Sequence, residues 1–252
     1  MSGRISTSLD GGGWAAGRQT GAILPVLMSD LPFTPADPGL SRRLAACLDI
    51  EGKIPRALEA LGPVAGRDVL LVDGDASRGS RTSPGAGARP LDGGRLAGQL
   101  TALGGRVRSI AASPSGTSFD ATDGSVDAVI GCWSVFRAPS PAEVAEADRV
   151  LRPEGRLLVV HDYGRDDVSR LRGNLPEYGT WGRRDGWYLT HGFRVRVIHC
   201  FWTFDAMDEA AAFLSDAFGE TGDQVAATLK RPRLSYNVAV YHRTRGGLKA
   251  TA

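Results

Sequence analysis

The chain has 252 residues, 42% of them hydrophobic and 23% charged, with a formal net charge of +2 at pH 7. That length accommodates one large domain with a real core, and the balance is that of a globular protein in water. So small a net charge gives no electrostatic footprint for nucleic acid, and no apolar run approaches the roughly 18 residues that span a bilayer, so neither partner is expected.

Nearly all the positive charge is arginine, since Lys53, Lys230 and Lys249 are the only lysines. Cys47, Cys132 and Cys200 are far apart and odd in number. They imply neither a metal-ligand spacing nor a disulfide framework, and point to a reducing cytoplasm. The apolar run 22–28 is short and broken by Pro25, which does not suit a signal peptide.

Residues 1–40 are rich in Gly, Ser and Pro and read as an N-terminal arm or loose cover. From Ser41 a helical pattern carries Leu44, Leu48, Ile54, Leu58 and Leu61 and closes at Gly62-Pro63. Continuous apolar runs at Val69–Val72, Val126–Ile130 and Leu157–Val160 predict strands buried on both faces, as in a parallel sheet covered by helices. Between the last two, Ser140, Pro141 and Glu143 spell a capping box that opens a helix with Val144, Ala147 and Leu151 on one face.

Further on, Val195–Phe201 reads as a strand of mixed polarity. Asp205 is placed to cap a helix with Met207, Ala211, Leu214 and Phe218 on one side, and Asn237–Tyr241 is a last strand. The pattern predicts a single α/β domain over 41–245, with a helical insert at about 203–232 and a tail at 246–252. The segment 164–187 holds Tyr178, Trp181, Arg183, Arg184 and Trp187, a composition that suits a lid, a substrate-facing segment or a plain surface loop.

"FDATDGSVDAVIGCWSVF" and "EADRVLRPEGRLLVV" resemble the fourth strand, the following helix and turn, and the fifth strand of class I S-adenosylmethionine-dependent methyltransferases, in particular the type 11-like group. The resemblance covers roughly Leu58 to Val160. It implies a Rossmann-like class I methyltransferase sheet, mostly parallel with an antiparallel C-terminal edge strand. S-adenosylmethionine is the implied cofactor and an unknown small molecule the implied methyl acceptor. Glu154 stands where the family usually has the first of two glycines.

In open parallel sheets ligands bind beyond the carboxyl ends of the strands, where strand order reverses. Three segments should therefore share one crevice: Asp73 to Gly79, Cys132 to Phe136, and His161 to Tyr163. The first is a degenerate copy of the family's Gly-x-Gly-x-Gly loop. One register puts Asp73, Asp75 and Ser77 on the three glycine positions, and a shift of two recovers only Gly79. Asp73, Gly74, Asp75, Ser77 and Gly79 are the implied cofactor contacts. Asp92 falls where the family ends its second strand with an acidic ribose ligand, although Asp92-Gly93-Gly94 also reads as a plain turn. Trp133 is placed to stack on the adenine, to line the acceptor site, or to serve as a core aromatic. Candidate catalytic residues are His161, Asp162 and Tyr163, with His191 and His199 weaker. Cys132 reads as a small buried hydrophobe.

Two alternatives stay open. A methyltransferase-fold pseudoenzyme would have lost cofactor binding and act as a partner-binding or regulatory module, with a protein partner or a homodimer in place of a small-molecule substrate. Separately, "VLLVDGDAS" resembles the first motif of haloacid-dehalogenase-like phosphatases, which would make Asp73 a nucleophile and Asp75 a general acid beside Mg²⁺, with Asp162, Asp166 and Asp167 as further ligands. That family balances phosphate charge with a lysine or an arginine, and no lysine lies between Lys53 and Lys230.

Overall fold

The protein is described from a computed structural model covering residues 38–75, 95–112, 118–133, 135–136, 139–173 and 181–246, with the backbone alone at 38, 41, 73–75 and 111–112. The chain order is α1 (Pro38–Cys47), α2 (Lys53–Leu61), β1 (Asp68–Asp75), α3 (Arg95–Ala102), β2 (Arg106–Ala112), β3 (Val126–Cys132), α4 (Pro141–Val150) and β4 (Leu151–Asp162). Then come α5 (Asp167–Leu171), α6 (Trp187–Thr190), β5 (Arg194–Thr203), α7 (Met207–Phe218), α8 (Glu220–Thr228) and β6 (Arg233–Thr244).

The strands form one six-stranded sheet in the order β2-β1-β3-β4-β6-β5. The first four are parallel to one another. The C-terminal pair makes the antiparallel edge, with β6 running against both β4 and β5 and lying between them.

The apolar runs form buried strands because both of their faces are covered. Val69 and Leu71 of β1 and Leu158 and Val160 of β4 face one cluster, built on α1, α2, α3, α5 and α7. Leu70, Val72, Leu157 and Val159 face the other, built on α4 and the segment around α6. β5 is different: Ile198, Cys200 and Trp202 are buried while Arg194, Arg196 and His199 are exposed. Charge on such an edge discourages pairing with another chain.

Several local expectations are refined. The pattern from Ser41 is two helices, broken where Asp49 turns and its carboxylate accepts from the backbone N–H groups of Lys53 and Ile54 at 3.0 and 2.8 Å. The Ser140–Glu143 capping box is present in full. Leu151, expected on the face of α4, is instead its C-cap and the first residue of β4. Asp205 does not cap α7. The N-cap is Ala206, and the helix buries Ala210, Phe213 and Leu214 while Met207 is exposed. Of the Met207–Ala211–Leu214–Phe218 stripe read from spacing, Leu214 is buried and Phe218 packs against the core, while Phe213 against Trp202 and Phe204 turns the face away from Met207.

At the amino ends of the strands, Asp68 is bound by Arg106 at 2.6 Å and by Arg152 at 2.8 Å. The Arg106 and Arg152 guanidinium groups hold its carboxyl down at about 2. Arg152 also reaches Asp127 at 2.8 Å. This ionic cluster ties β1, β2, β3 and β4 together at the end of the sheet away from the crevice described next.

Candidate functional site

Register places the three sequence segments on one rim. Asp73 of β1 lies beside Cys132 of β3, and Cys132 lies beside Val160 of β4. One residue further along each strand come Gly74, Trp133 and His161. The rim is the carboxyl end of the parallel strands, and β1 is where winding reverses, with β2 on one side and β3 on the other. Between Val72 and Asp75 the β1–β2 register shifts, an irregularity after which Asp75 pairs with Ala112 at the ends of both strands.

His161 and Asp162 lie on opposite faces of the sheet. Successive strand residues point to opposite faces, and their contacts follow that rule. His161 is 1% exposed and lies on the α4 side, with its ring 4.7 Å from that of Trp181. Its Nε2 is 3.3 Å from the Phe136 carbonyl, which also accepts from the Tyr188 hydroxyl. A carbonyl only accepts, so this contact puts the histidine proton on Nε2. His161 therefore fixes the loop after β3, where Phe136 adopts a left-handed φ of 59°.

Asp162 lies on the other face. Its Oδ2 accepts from Arg172 Nη1 at 3.0 Å, and the two side chains are only 4% and 6% exposed. Its Oδ1 accepts from the Tyr236 hydroxyl at 2.6 Å, and that hydroxyl in turn accepts from Trp133 Nε1 at 3.0 Å. Burial, reinforced by the Asp162 charge, pushes the Tyr236 phenol well above its ordinary value, so it remains a donor. Trp133, Tyr236, Asp162 and Arg172 thus form a continuous buried chain of polar contacts linking the ends of β3, β4 and β6 to the turn after α5.

Trp133 packs in the cluster beneath β1, β3 and β4 and donates its Nε1–H to Tyr236. It is buried with a φ of 49°, and the void beside it, bounded by Leu48, Ile54 and Leu96, is about 20 Å³. That is the size of a water. Tyr163 is half-buried and donates its backbone N–H to the Asn237 carbonyl at 2.8 Å. Cys132 is fully buried, as expected of a small hydrophobe.

The strand that pairs with β1 on its outer side is Arg106–Ala112, which is not the strand expected to end near Asp92. Leu96 and Leu100 bury one face of α3, so the chain just after Asp92 is helical and the paired strand comes later. Asp92, Ser77 and Gly79 lie outside the described residues, as do the side chains of Asp73 and Asp75. After Ala112 the next carboxylate in the sequence is Asp120.

The weaker histidine candidates have partners within the fold. His191 stacks on Trp187 with ring centroids 4.0 Å apart, and His199 Nδ1 meets Asn237 Oδ1 at 2.8 Å. Asp166 and Asp167 are also committed. Asp166 caps α5 and accepts from the Asn237 backbone, while Asp167 accepts from the Ser235 backbone and hydroxyl. Among the described residues no group of His, Cys, Asp and Glu is arranged to hold a metal ion. This leaves the phosphatase reading without its later ligands.

The bend within the first residues of β4 supplies a last test. Glu154, at the expected glycine position, takes a left-handed φ of 63°. A Cβ on the following Gly155 would come within 2.8 Å of the Arg152 carbonyl. The glycine geometry of that bend is retained, with one glycine replaced. Together with the strand order and the reversed β6, this decides the architecture.

The chain has the class I methyltransferase fold.

Solved structures of this class resemble it at low identity. A protein of Anabaena variabilis, named as a methyltransferase from an antibiotic biosynthesis pathway, is 14% identical over 78% of this chain and 98% of its own, with a TM-score of 0.47. Geranyl diphosphate methyltransferase in complex with S-adenosylmethionine is 19% identical over 87% and 95%, with a TM-score of 0.35. An S-adenosylmethionine-dependent methyltransferase of Thermotoga maritima is 13% identical over 82% and 91%, with a TM-score of 0.36. At these values the likeness carries nothing about activity, and the fold rests on the chain's own topology. No protein-family model and no curated protein matches the chain. Among the described residues no helix is long and apolar enough to cross a membrane.

Proposed function

We propose that the chain binds S-adenosylmethionine at the rim formed by β1, β3 and β4 and transfers its methyl group to a small-molecule acceptor. The observation that carries this reading is the convergence of Asp73–Asp75, Cys132–Trp133 and Val160–His161 at the point where the sheet reverses. The donor set suits the ligand's cationic ends. The carboxylates of Asp73 and Asp75 match an ammonium and a sulfonium, and Gly74 between them leaves the backbone open to close approach. S-adenosylmethionine supplies an electrophilic methyl carbon. What the chain contributes is alignment and exclusion of water. His161 and Asp162 are both bound within the fold, so the acceptor supplies its own lone pair and proximity carries the rate.

A second reading, the non-catalytic pseudoenzyme that binds a protein partner, draws on a specific feature. Two glycine positions of the first loop hold aspartates, and no carboxylate follows the end of β2 at Ala112 before Asp120. A calorimetric titration separates the two. The methyltransferase reading expects saturable binding, with S-adenosylmethionine bound roughly fivefold to tenfold more tightly than the uncharged sulfur of S-adenosylhomocysteine, since even a screened contact with a carboxylate is on the order of 1 kcal/mol. Asp73→Asn with Asp75→Asn should remove that preference. Absence of saturable binding of either ligand, with binding gained in Asp73→Gly plus Asp75→Gly, would establish the pseudoenzyme instead.

A further inference from the structure

A cavity of about 590 Å³ opens between α5, α8, the end of β5 and the start of β6. Small-molecule sites run from about 300 to 1,000 Å³. Four cations line it: Arg170 of α5, Lys230 and Arg231 of the link after α8, and Arg233 at the start of β6. The one lining carboxylate, Asp167, is already engaged by Ser235 and by Arg170. Lys230, Arg231 and Arg233 make no ion pair with any described residue. A concave surface carrying unbalanced charge of one sign concentrates its field and attracts the opposite sign.

The walls are apolar as well as basic. Leu171, Val225 and Leu229 line the cavity together with Phe201. The Arg233 guanidinium sits 4.4 Å from the Phe201 ring centroid, a cation–π contact that holds its donors in place ahead of any ligand. A guanidinium fixed in this way suits a phosphate or carboxylate better than a freely moving ammonium does.

The cavity is distinct from the crevice at β1. Val238 of β6 lies beside Asp162, so Ser235 and Arg233 continue beyond the end of β4, on the side of the sheet away from β1. We infer that it binds a small amphipathic anion, an organic phosphate whose charged head meets Lys230, Arg231 and Arg233 and whose apolar body lies against Phe201 and Leu229. This assignment stands whether or not the β1 crevice transfers a methyl group.

The test uses the full chain with hexyl phosphate, inorganic phosphate and hexanol as separate titrants. Hexyl phosphate should bind one-to-one and more tightly than either part alone, and added salt should weaken it. Lys230→Glu with Arg231→Glu, both exposed in the native fold, should weaken it by roughly tenfold or more while the far-ultraviolet spectrum stays unchanged. Leu229→Ser should reduce the advantage of hexyl phosphate over inorganic phosphate. No saturable binding of hexyl phosphate, or equal binding by the charge-reversed variant, would overturn the proposal. So would association with phosphatidylcholine vesicles only when they contain phosphatidic acid, with no binding of free hexyl phosphate, because the surface would then be reading a membrane.

Discussion

Replacing Arg172 with methionine is expected to lower stability by about 3–5 kcal/mol, the range for removing one partner of a buried ion pair. The Asp162 carboxylate would keep its bond from Tyr236 but lose the guanidinium at 3.0 Å, in a site where both side chains are almost fully enclosed. Asp162→Asn should also destabilise, by leaving the guanidinium buried against a neutral amide. Combining the two should cost less than the sum, because the second change removes the charge that the first left unpaired. Urea unfolding of the four proteins measures this directly. If Asp162→Asn instead left stability untouched, the carboxylate would not be a structural member of the buried chain, and a chemical role for it would return.

Gly222→Ala should be the most damaging single methyl addition in the helical insert. An alanine Cβ at that position would lie 1.9 Å from the Leu214 carbonyl oxygen and 2.4 Å from its carbon. Both are backbone atoms of α7 and cannot rotate away, so α8 must move. Gly219 makes the corner that brings the helices together, with φ 56° and ψ −136°, a conformation open essentially to glycine alone. Overpacking of this kind costs about 1–3 kcal/mol and occasionally more, and the upper end is expected here. A thermal unfolding midpoint within error of the wild type would show that the two helices are not tightly packed. Because Thr221, Val225 and Thr228 of α8 line the basic cavity, the same variant should also weaken hexyl phosphate binding.

Much of the fold was legible because its strongest signals are local. The runs at Val69–Val72 and Leu157–Val160 are apolar on both faces, and the Ser140–Pro141–Glu143 box names its own helix end. The insert was harder to read. Spacing alone admits several apolar stripes on Met207–Phe218, and only the tertiary contact with Trp202 and Phe204 selects Phe213. The second strand was misplaced for a related reason. A glycine-rich stretch with Asp92 matched a family position by length, while the residues that pair with β1 are Arg106–Ala112, whose only large apolar side chains are Val107 and Ile110.

The rim itself was found from sequence, but not what its side chains do. His161 and Asp162 are candidates in the sequence by their place at the end of a strand that reaches the rim. The pleat sends them to opposite faces, and each is bound there by residues that no motif announced: Phe136 and Tyr188 for one, Tyr236 and Arg172 for the other. Tyr236 sits one residue before the strand expected at Asn237, and Arg172 lies inside a segment read only for its aromatic and arginine content. The basic cavity was equally hidden, since Arg170 and Arg233 are far apart in sequence and meet only through the α5–β6 contact at Asp167 and Ser235.

Amide hydrogen exchange with and without S-adenosylmethionine tests the central claim most directly, because it asks where the ligand sits as well as whether it binds. Binding at the rim predicts slowed exchange at residues 73–75 and 132–136, with the amino-terminal end of β1 near Asp68 unaffected. No change at the rim, or slowing confined to residues 221–235 around the basic cavity, would contradict it.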